Sequence, residues 1–519
     1  MRVKLPPFGL QAFVGLLVGL IVVSSPSAVE KPNSLIVCLP SYIDSFDPTD
    51  HRSRLTQLTL KNIYESLTAR GDDLETIPEL ARSWEQLDLF TWEFKLKEGV
   101  LFHNGDELTS EDVRFTFDRV CQPGGLEEGR TSPRGELFQS IEGVEVVDRY
   151  TVRFHTRRPW AVLPKMLSLQ EILPQKYMKA VGPGGLARRP VGTGPFRVEA
   201  YREGLRIELS RFAEHRDYAG LSAQEKSVRV GHLVFMVEPR GIDQIADLKR
   251  GRADLILNIP PSAVTILAAS PEINIVSMSP TRSHFAEINC RQPPLNDPRV
   301  RQALNLAVDR KAVLASLLLG RGQALPTVLQ PSCFGYNQDL APYPHDPAKA
   351  RKLLAAAGYP PDRPLLIHSH VSNLDLANAL ALFFTKVGLK ATVQATQDYR
   401  PTSLGPQAPW DLFVGSWGNS TMDPVDIIPP KFRSDGTANF SGYANKTLDH
   451  LIVEAEEMTD MAIRAGYYHR IQEIIHQDAP MVFGFAADEI YAFRGKVLGF
   501  KPSPTGFLRL EKVRLAPGG

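Results

Sequence analysis

Leu365-Leu366-Ile367-His368, the run from Leu374 to Val387, the segment Leu389 to Gln394 and the stretch Asp411-Leu412-Phe413-Val414-Gly415 follow one another along the chain. The first, third and fourth read as short strands, and the second carries a helical apolar stripe. This alternation is βαβ-like and predicts an α/β lobe. In open α/β sheets, ligands sit outside the carboxyl ends of strands. Trp417 follows the apolar run Leu412-Phe413-Val414, and His370 ends another predicted strand of the same lobe. Trp417, Asn419, Ser420 and His370 are therefore candidates to line one cleft. Core packing is the competing reading of Trp417.

Local signals extend this pattern in both directions. Thr109 with Asp112 forms a capping-box sequence, and the helix it starts buries Val113, Phe117 and Val120. Asp297-Pro298 and Asp346-Pro347 each place an N-cap aspartate before a first-turn proline, and Gly358 supplies a stop. Trp92, Phe94 and Leu96 alternate with charged residues, the period of a half-buried strand. Thr56 to Leu67 reads as a helix, Ser34 to Leu39 and Phe285 to Asn289 as strands. The Gly/Pro-rich stretch Gly182 to Gly194 is expected to connect lobes.

The chain has 519 residues, with Lys plus Arg 59 against Asp plus Glu 58. That balance gives no basic footprint for nucleic acid and no acidic tail. Hydrophobic residues at 43% and charged residues at 23% exclude a disordered or fibrous chain. Arg2 and Lys4 precede an apolar run from Phe8 to Val23, followed by Ser24, Ser25, Ser27 and Ala28. This predicts a signal peptide over residues 1–28, against the alternative of an uncleaved membrane anchor. No Cys lies near the end of the run, which argues against a lipid anchor. Export implies an oxidising compartment, where disulfides are permitted. Cys290 and Cys333 flank one helical segment and are the candidate pair.

Catalytic patterns are missing. His368-Ser369-His370 could be half a metal site, but no third ligand is apparent and no metal is expected. Gly182 to Gly185 and Gly192-Thr193-Gly194 lack the strand–GxGxxG–helix context of a phosphate cradle. Gly415-Ser416-Trp417-Gly418 has the wrong spacing for a nucleophile elbow.

Several longer motifs are more specific. They are Pro78-Glu79-Leu80-Ala81 with Ser83-Trp84-Glu85, Trp92 to Leu96, and Phe102-His103-Asn104-Gly105-Asp106 through Val113. Gly192-Thr193-Gly194-Pro195-Phe196, Asp297 to Leu304, Ala307 to Arg310, and Asp346-Pro347 to Tyr359 continue the series. With these motifs the chain, from about residue 34 to 515, resembles the solute-binding proteins of dipeptide, oligopeptide and nickel ABC importers, solute-binding family 5. The resemblance implies an α/β bilobal periplasmic-binding-protein fold, type II-like, with three domains and a ligand cleft between lobes. The expected division is residues 30–76, 190–280 and 485–519 in lobe I, 77–189 as an extra domain of lobe I, and 281–484 as lobe II.

The resemblance also implies a function. A periplasmic protein would capture a small solute and deliver it to an ABC permease in the inner membrane, as a monomer, without catalysis, cofactor or nucleic acid. The alternatives are a membrane-tethered ligand-sensing receptor subunit and a secreted hydrolase. Dipeptide binders of the family carry Trp-x-x-Asp-x-x-Asp-Pro, whose first Asp holds the peptide ammonium. Here the matching residues run from Trp417 to Pro424, and the ammonium position is Ser420. Free peptides are therefore expected to be poor ligands. Trp417 is expected to stack on the ligand while Asn419 and Ser420 orient it. Tyr42 after the first strand, Tyr399, His370 and Asp423 complete the candidate set, with helix capping the stronger reading of Asp423.

Overall fold

The structure is a computed structural model describing residues 33–278, 281–397, 401 and 409–516. The expected signal peptide and Tyr399 lie outside the described residues. Three larger sheets organise the chain. The first has seven strands in the order Ile273–Met278, Glu489–Arg494, Leu255–Ile256, Ser34–Leu39, His232–Val237, Arg206–Arg211 and Phe196–Arg202. Ser34–Leu39 pairs in parallel with both His232–Val237 and Leu255–Ile256. A strand in that position is covered on both faces, which explains its unbroken apolar run.

A four-stranded antiparallel sheet orders Ala81–Asp88, Thr91–Leu96, Thr151–Thr156 and Ile141–Asp148. The helix Ser110–Cys121 packs on it through Val113, Phe117 and Val120. The predicted capping box is formed: the Thr109 N–H donates to Asp112 Oδ2 at 2.8 Å. This sheet shares one apolar core with the seven-stranded sheet, so both belong to one lobe.

The six-stranded sheet of the other lobe runs Gly322–Ala324, Met481–Ala487, Arg282–Ile288, Leu412–Gly418, Pro364–His370 and Lys390–Thr396. Pro364–His370 lies parallel to both Lys390–Thr396 and Leu412–Gly418, with the helix Leu374–Lys386 as crossover. The helix starts at Asp297 and Asp346 form as expected, each carboxylate accepting a backbone N–H at 2.8 Å. The chain leaves the first sheet after Met278 and returns to it after Ala487.

Two local expectations change. The helix expected over Thr56 to Leu67 is Arg54–Leu60. The Gly/Pro-rich stretch is not one connection between lobes, because residues to 188 belong to the kinked helix Gln175–Arg188, with Gly182 at φ 64°. The remainder joins two sheets of the same lobe. There Gly192 and Gly194 press against the Ile63 backbone; a Cβ on Gly192 would stand 2.1 Å from the Ile63 carbonyl oxygen. Only glycine permits that approach.

Candidate functional site

The parallel strands of each lobe end at the same place, and the segments after their carboxyl ends face each other. From the first lobe come Pro40, Arg54, Leu55, Leu58 and Leu257 to Pro261. From the second come Arg282, His284, Leu317, Leu318, Ser372 to Leu376 without Leu374, and Phe485. Between them lies a cavity of about 620 Å³. Its walls mix aliphatic side chains with the charged groups of Arg54, Arg282, Asp375, Asp488 and Glu489 and the amides of Asn258 and Asn373, apolar surface with a few polar groups as in small-molecule sites.

Arg54 crosses the junction. Its guanidinium donates to Thr281 Oγ1 at 2.5 Å and to the Thr505 carbonyl at 3.1 Å, and pairs with Glu489 at 3.1 Å. Burial alone would raise the Glu489 carboxyl, but Arg54 and the hydroxyls of Thr281 and Tyr491 hold it below its ordinary value. Arg282 donates to Ser416 Oγ at 3.0 Å. A Cβ on Gly418 would lie 3.3 Å from Arg282 Nη2 and 3.5 Å from Arg54 Nη1, so two guanidiniums from opposite lobes converge on this residue. His284 stacks on Phe485 at 5.0 Å, and burial, helped by Arg282, lowers its imidazole to about 4. It is neutral at pH 7.

The sequence-derived candidates divide. Trp417 is half-buried and lines a second, smaller inter-lobe cavity of about 90 Å³ with Arg52, Arg158, Trp160, Asp426 and Glu456. Its indole N–H donates to the Asp426 carbonyl at 2.8 Å, and Lys431 Nζ sits 4.9 Å from the ring centre. Ser420 is half-buried beside it. The neighbouring Asp426 carboxylate accepts from Thr421 N–H at 3.3 Å, and burial pushes it up to about 6.

Asn419 is a correction. It is fully buried, its amide donates to Cys333 Sγ at 3.3 Å, and its Oδ1 accepts from Thr421 Oγ1 and Asp423 N–H. Its polar atoms turn to Cys333, Thr421 and Asp423, and it lines neither cavity. For Asp423 the capping reading holds. It caps the turn from Pro424, accepting Val425 N–H at 3.2 Å, and is fully buried against Arg464 at 2.6 Å and Lys165 at 3.0 Å. His370 is buried, with Nδ1 on the Ser372 hydroxyl at 2.7 Å. It touches the large cavity only through Ser372, which lines it. Tyr42 is 62% exposed and lines neither cavity.

Cys290 and Cys333 are free thiols, not a disulfide. Cys290 Sγ donates to the Ile288 carbonyl, whereas Cys333 Sγ faces Asn419, so the two sulfurs serve different contacts. Among the described residues no group of three metal-ligating side chains is assembled, and no helix is long and apolar enough to cross a membrane.

Arg54, Arg282, His284 and Glu489 escaped the sequence reading. A signal for two of them was present: Arg282 and His284 stand two apart on a strand and share a face. The expected strand began at Phe285 and omitted them.

Residues 75–439 match the model for bacterial extracellular solute-binding proteins, family 5 Middle. Among characterised sequences, heme-binding protein A of Haemophilus influenzae is 28% identical over 83% of this chain and 82% of its own. A probable di/tripeptide-binding protein 5 of Pseudomonas aeruginosa is 27% identical over 92% and 95%. The solved periplasmic binding protein DppA of Helicobacter pylori, in complex with the peptide STSA, superposes with a TM-score of 0.81. It is 24% identical and covers 93% of this chain and 98% of its own.

Proposed function

Since the chain belongs to the bacterial extracellular solute-binding proteins of family 5, we propose that its 620 Å³ inter-lobe cavity captures a small solute for an ABC importer in the inner membrane. The cavity is the observation that carries this reading. Both lobes supply its walls, so a solute touches both only when they are together and thereby favours the closed state. Arg54 and Glu489 stand where the lobes join, placing charged groups at the point where occupancy and closure meet.

The proposal includes export by cleavage between Ser25 and Lys31 and action as a monomer. Binding is the whole chemistry: the site needs concavity and orienting groups rather than a nucleophile.

The ligand is proposed to lack a free ammonium at the end that reaches the family's ammonium position beside Trp417, the carboxylates Asp375, Asp488 and Glu489 being those of the large cavity itself. Ser420 offers a neutral hydroxyl, and Asp423 is already paired with Arg464 and Lys165. Leaving a buried charge without its partner typically costs ~3–5 kcal/mol, roughly two to four orders of magnitude in affinity. Calorimetry with Ala-Leu, Ala-Leu-Ala and their N-acetyl forms tests this. The capped forms are expected to bind at least as well as the free ones. Submicromolar binding of a free peptide, lost on acetylation and in Asp426→Asn, would overturn it and move the anchor to Asp426.

A further inference from the structure

The large cavity lies at the carboxyl ends of the parallel strands of the seven-stranded sheet, beyond Pro40 and Leu257. The opposite end of that sheet collects the amino-terminal starts of the same strands, and it is rich in cations. Lys249 and Arg250 close the helix Gly241–Arg250, and Arg252 follows just before the strand Leu255–Ile256. Lys496 comes just after the strand Glu489–Arg494, and the short strands Val497–Leu498 and Arg514–Leu515 then pair across this end. Arg514 bridges to Arg229, which leads into the strand His232–Val237. Lys249, Arg250, Arg252, Lys512 and Arg514 are all exposed.

The acids of this end are mostly turned inward or already used. Asp254 is fully buried, where it accepts the Ile36 N–H and pairs with Lys496, both at 3.0 Å. Asp247 is buried against Arg252. Glu225 caps its own helix, accepting the Ser222 N–H and hydroxyl at 2.9 and 2.7 Å. Glu272, exposed beside Gly495, offsets one cation. Lys249 and Arg250 have a local reason to be there, since the carboxyl end of a helix favours cations. That reason does not extend to Lys512 and Arg514, which flank Val513 at the edge of a two-residue strand. The whole chain has a formal net charge of +1, so the excess is local. Leu498, 40% exposed and paired with Arg514, adds an apolar side chain to the same surface.

We infer that this basic end docks on an anionic phospholipid surface, with Leu498 entering the interfacial layer and the cations lying over the headgroups. An exposed apolar side chain among Lys and Arg is the chemistry of interfacial binding. Each cation held near an anionic bilayer adds roughly fivefold to partitioning. The chain's own course agrees. Asn33 sits at the same end, its carbonyl accepting the Gly231 and His232 N–H groups at 3.0 and 3.2 Å, and the apolar run Phe8 to Val23 precedes it in sequence. Before and after the proposed cleavage, the same end therefore faces the membrane. The large cavity stands at the other end of the sheet, away from the lipid.

Co-sedimentation of the mature chain with lipid vesicles tests this. It needs neither solute nor permease, so it stands apart from the proposed capture. Vesicles of about 30% phosphatidylglycerol in phosphatidylcholine are compared with phosphatidylcholine alone, at roughly 0.02 and 0.3 M salt. The wild type is expected on the anionic vesicles at low salt, released at high salt, and absent from the neutral ones. Lys512→Glu/Arg514→Glu is expected to lose at least ~tenfold in partitioning, with unchanged circular dichroism, whereas Lys512→Arg/Arg514→Lys keeps it. Lys176→Glu/Lys179→Glu makes the same charge change on the helix Gln175–Arg188 and is expected to bind as the wild type does. Equal losses in the two reversal variants would overturn the inference by assigning the binding to net charge. So would a wild type that ignores the anionic vesicles, leaving an acidic protein face as the partner of this end. That wild-type measurement decides the matter even should a variant fail to fold.

Discussion

Asp423→Asn removes one charge from a fully buried site. Asp423 and Arg464 both have fully buried side chains, joined by two hydrogen bonds of 2.6 and 2.9 Å. Asparagine is close in size and is itself a good cap, so the contact to Val425 N–H survives. What is lost is the counter-charge of a guanidinium that cannot reach solvent. Arg464 keeps its bonds to the Ala455 carbonyl and the Tyr468 hydroxyl, which are neutral. Breaking such a pair from one side costs about 3–5 kcal/mol.

The pH dependence carries a sign. Burial would raise the Asp423 carboxyl, but Arg464 and Lys165 outweigh it and hold the group well below the carboxylate range. A folded-state pKa below the unfolded value of about 3.9 means the stabilisation is present above that pH and fades as pH falls below it. Urea denaturation followed by circular dichroism should show the full deficit of the variant at pH 5 to 8. The deficit should shrink between pH 4 and 2.5. An unchanged urea midpoint at pH 7 would refute the reasoning, and a deficit that persists undiminished at pH 2.5 would assign it to packing instead of charge.

Three further outcomes follow from the same geometry. His103 donates through Nε2 to the Gly194 carbonyl and accepts Gly192 N–H at Nδ1, and burial lowers both it and His284 to about 4. Each stays neutral in the folded state while the unfolded chain takes up its proton near 6.5, so stability should fall as pH drops from about 6.5 to 4; His284→Phe should flatten that slope. Alkylation of the denatured, unreduced protein should add four groups, one per cysteine; two additions would restore a disulfide. Trp417 lines the smaller cavity and not the 620 Å³ one, so Trp417→Ala should leave the calorimetric affinity of a probe held in the large cavity within a few-fold, whereas a loss of ~2 kcal/mol or more would move the ligand to the smaller cavity.

Helix starts were legible because a cap is written within four residues: Asp297 and Asp346 each accept a backbone N–H two or three positions on, and Asp112 reaches back to accept the Thr109 N–H. The parallel lobe was legible because periodicity is local to each element. The cavity was not, since its charged groups come together from residues 54, 282 and 489, and nothing in a linear spacing announces that Arg54 reaches Glu489. Asn419 misled for a related reason. A polar residue in a loop after a strand reads as a ligand contact, yet its amide nitrogen is spent on Cys333, distant in sequence, and its oxygen on the Asp423 N–H. The glycines at 192 and 194 marked a close approach of two backbones rather than a hinge, a distinction that depends on Ile63, far away in sequence. The pairing of Cys290 with Cys333 failed because the permitted Cα separation is a property of the folded chain.

Native mass spectrometry of the protein recovered from its exporting host tests the central claim most directly. The account predicts a fraction carrying a noncovalent small molecule sized to the 620 Å³ cavity, released when the protein is unfolded. A population made up solely of the bare chain, together with no thermal stabilisation by peptides or N-acetyl peptides, would contradict it.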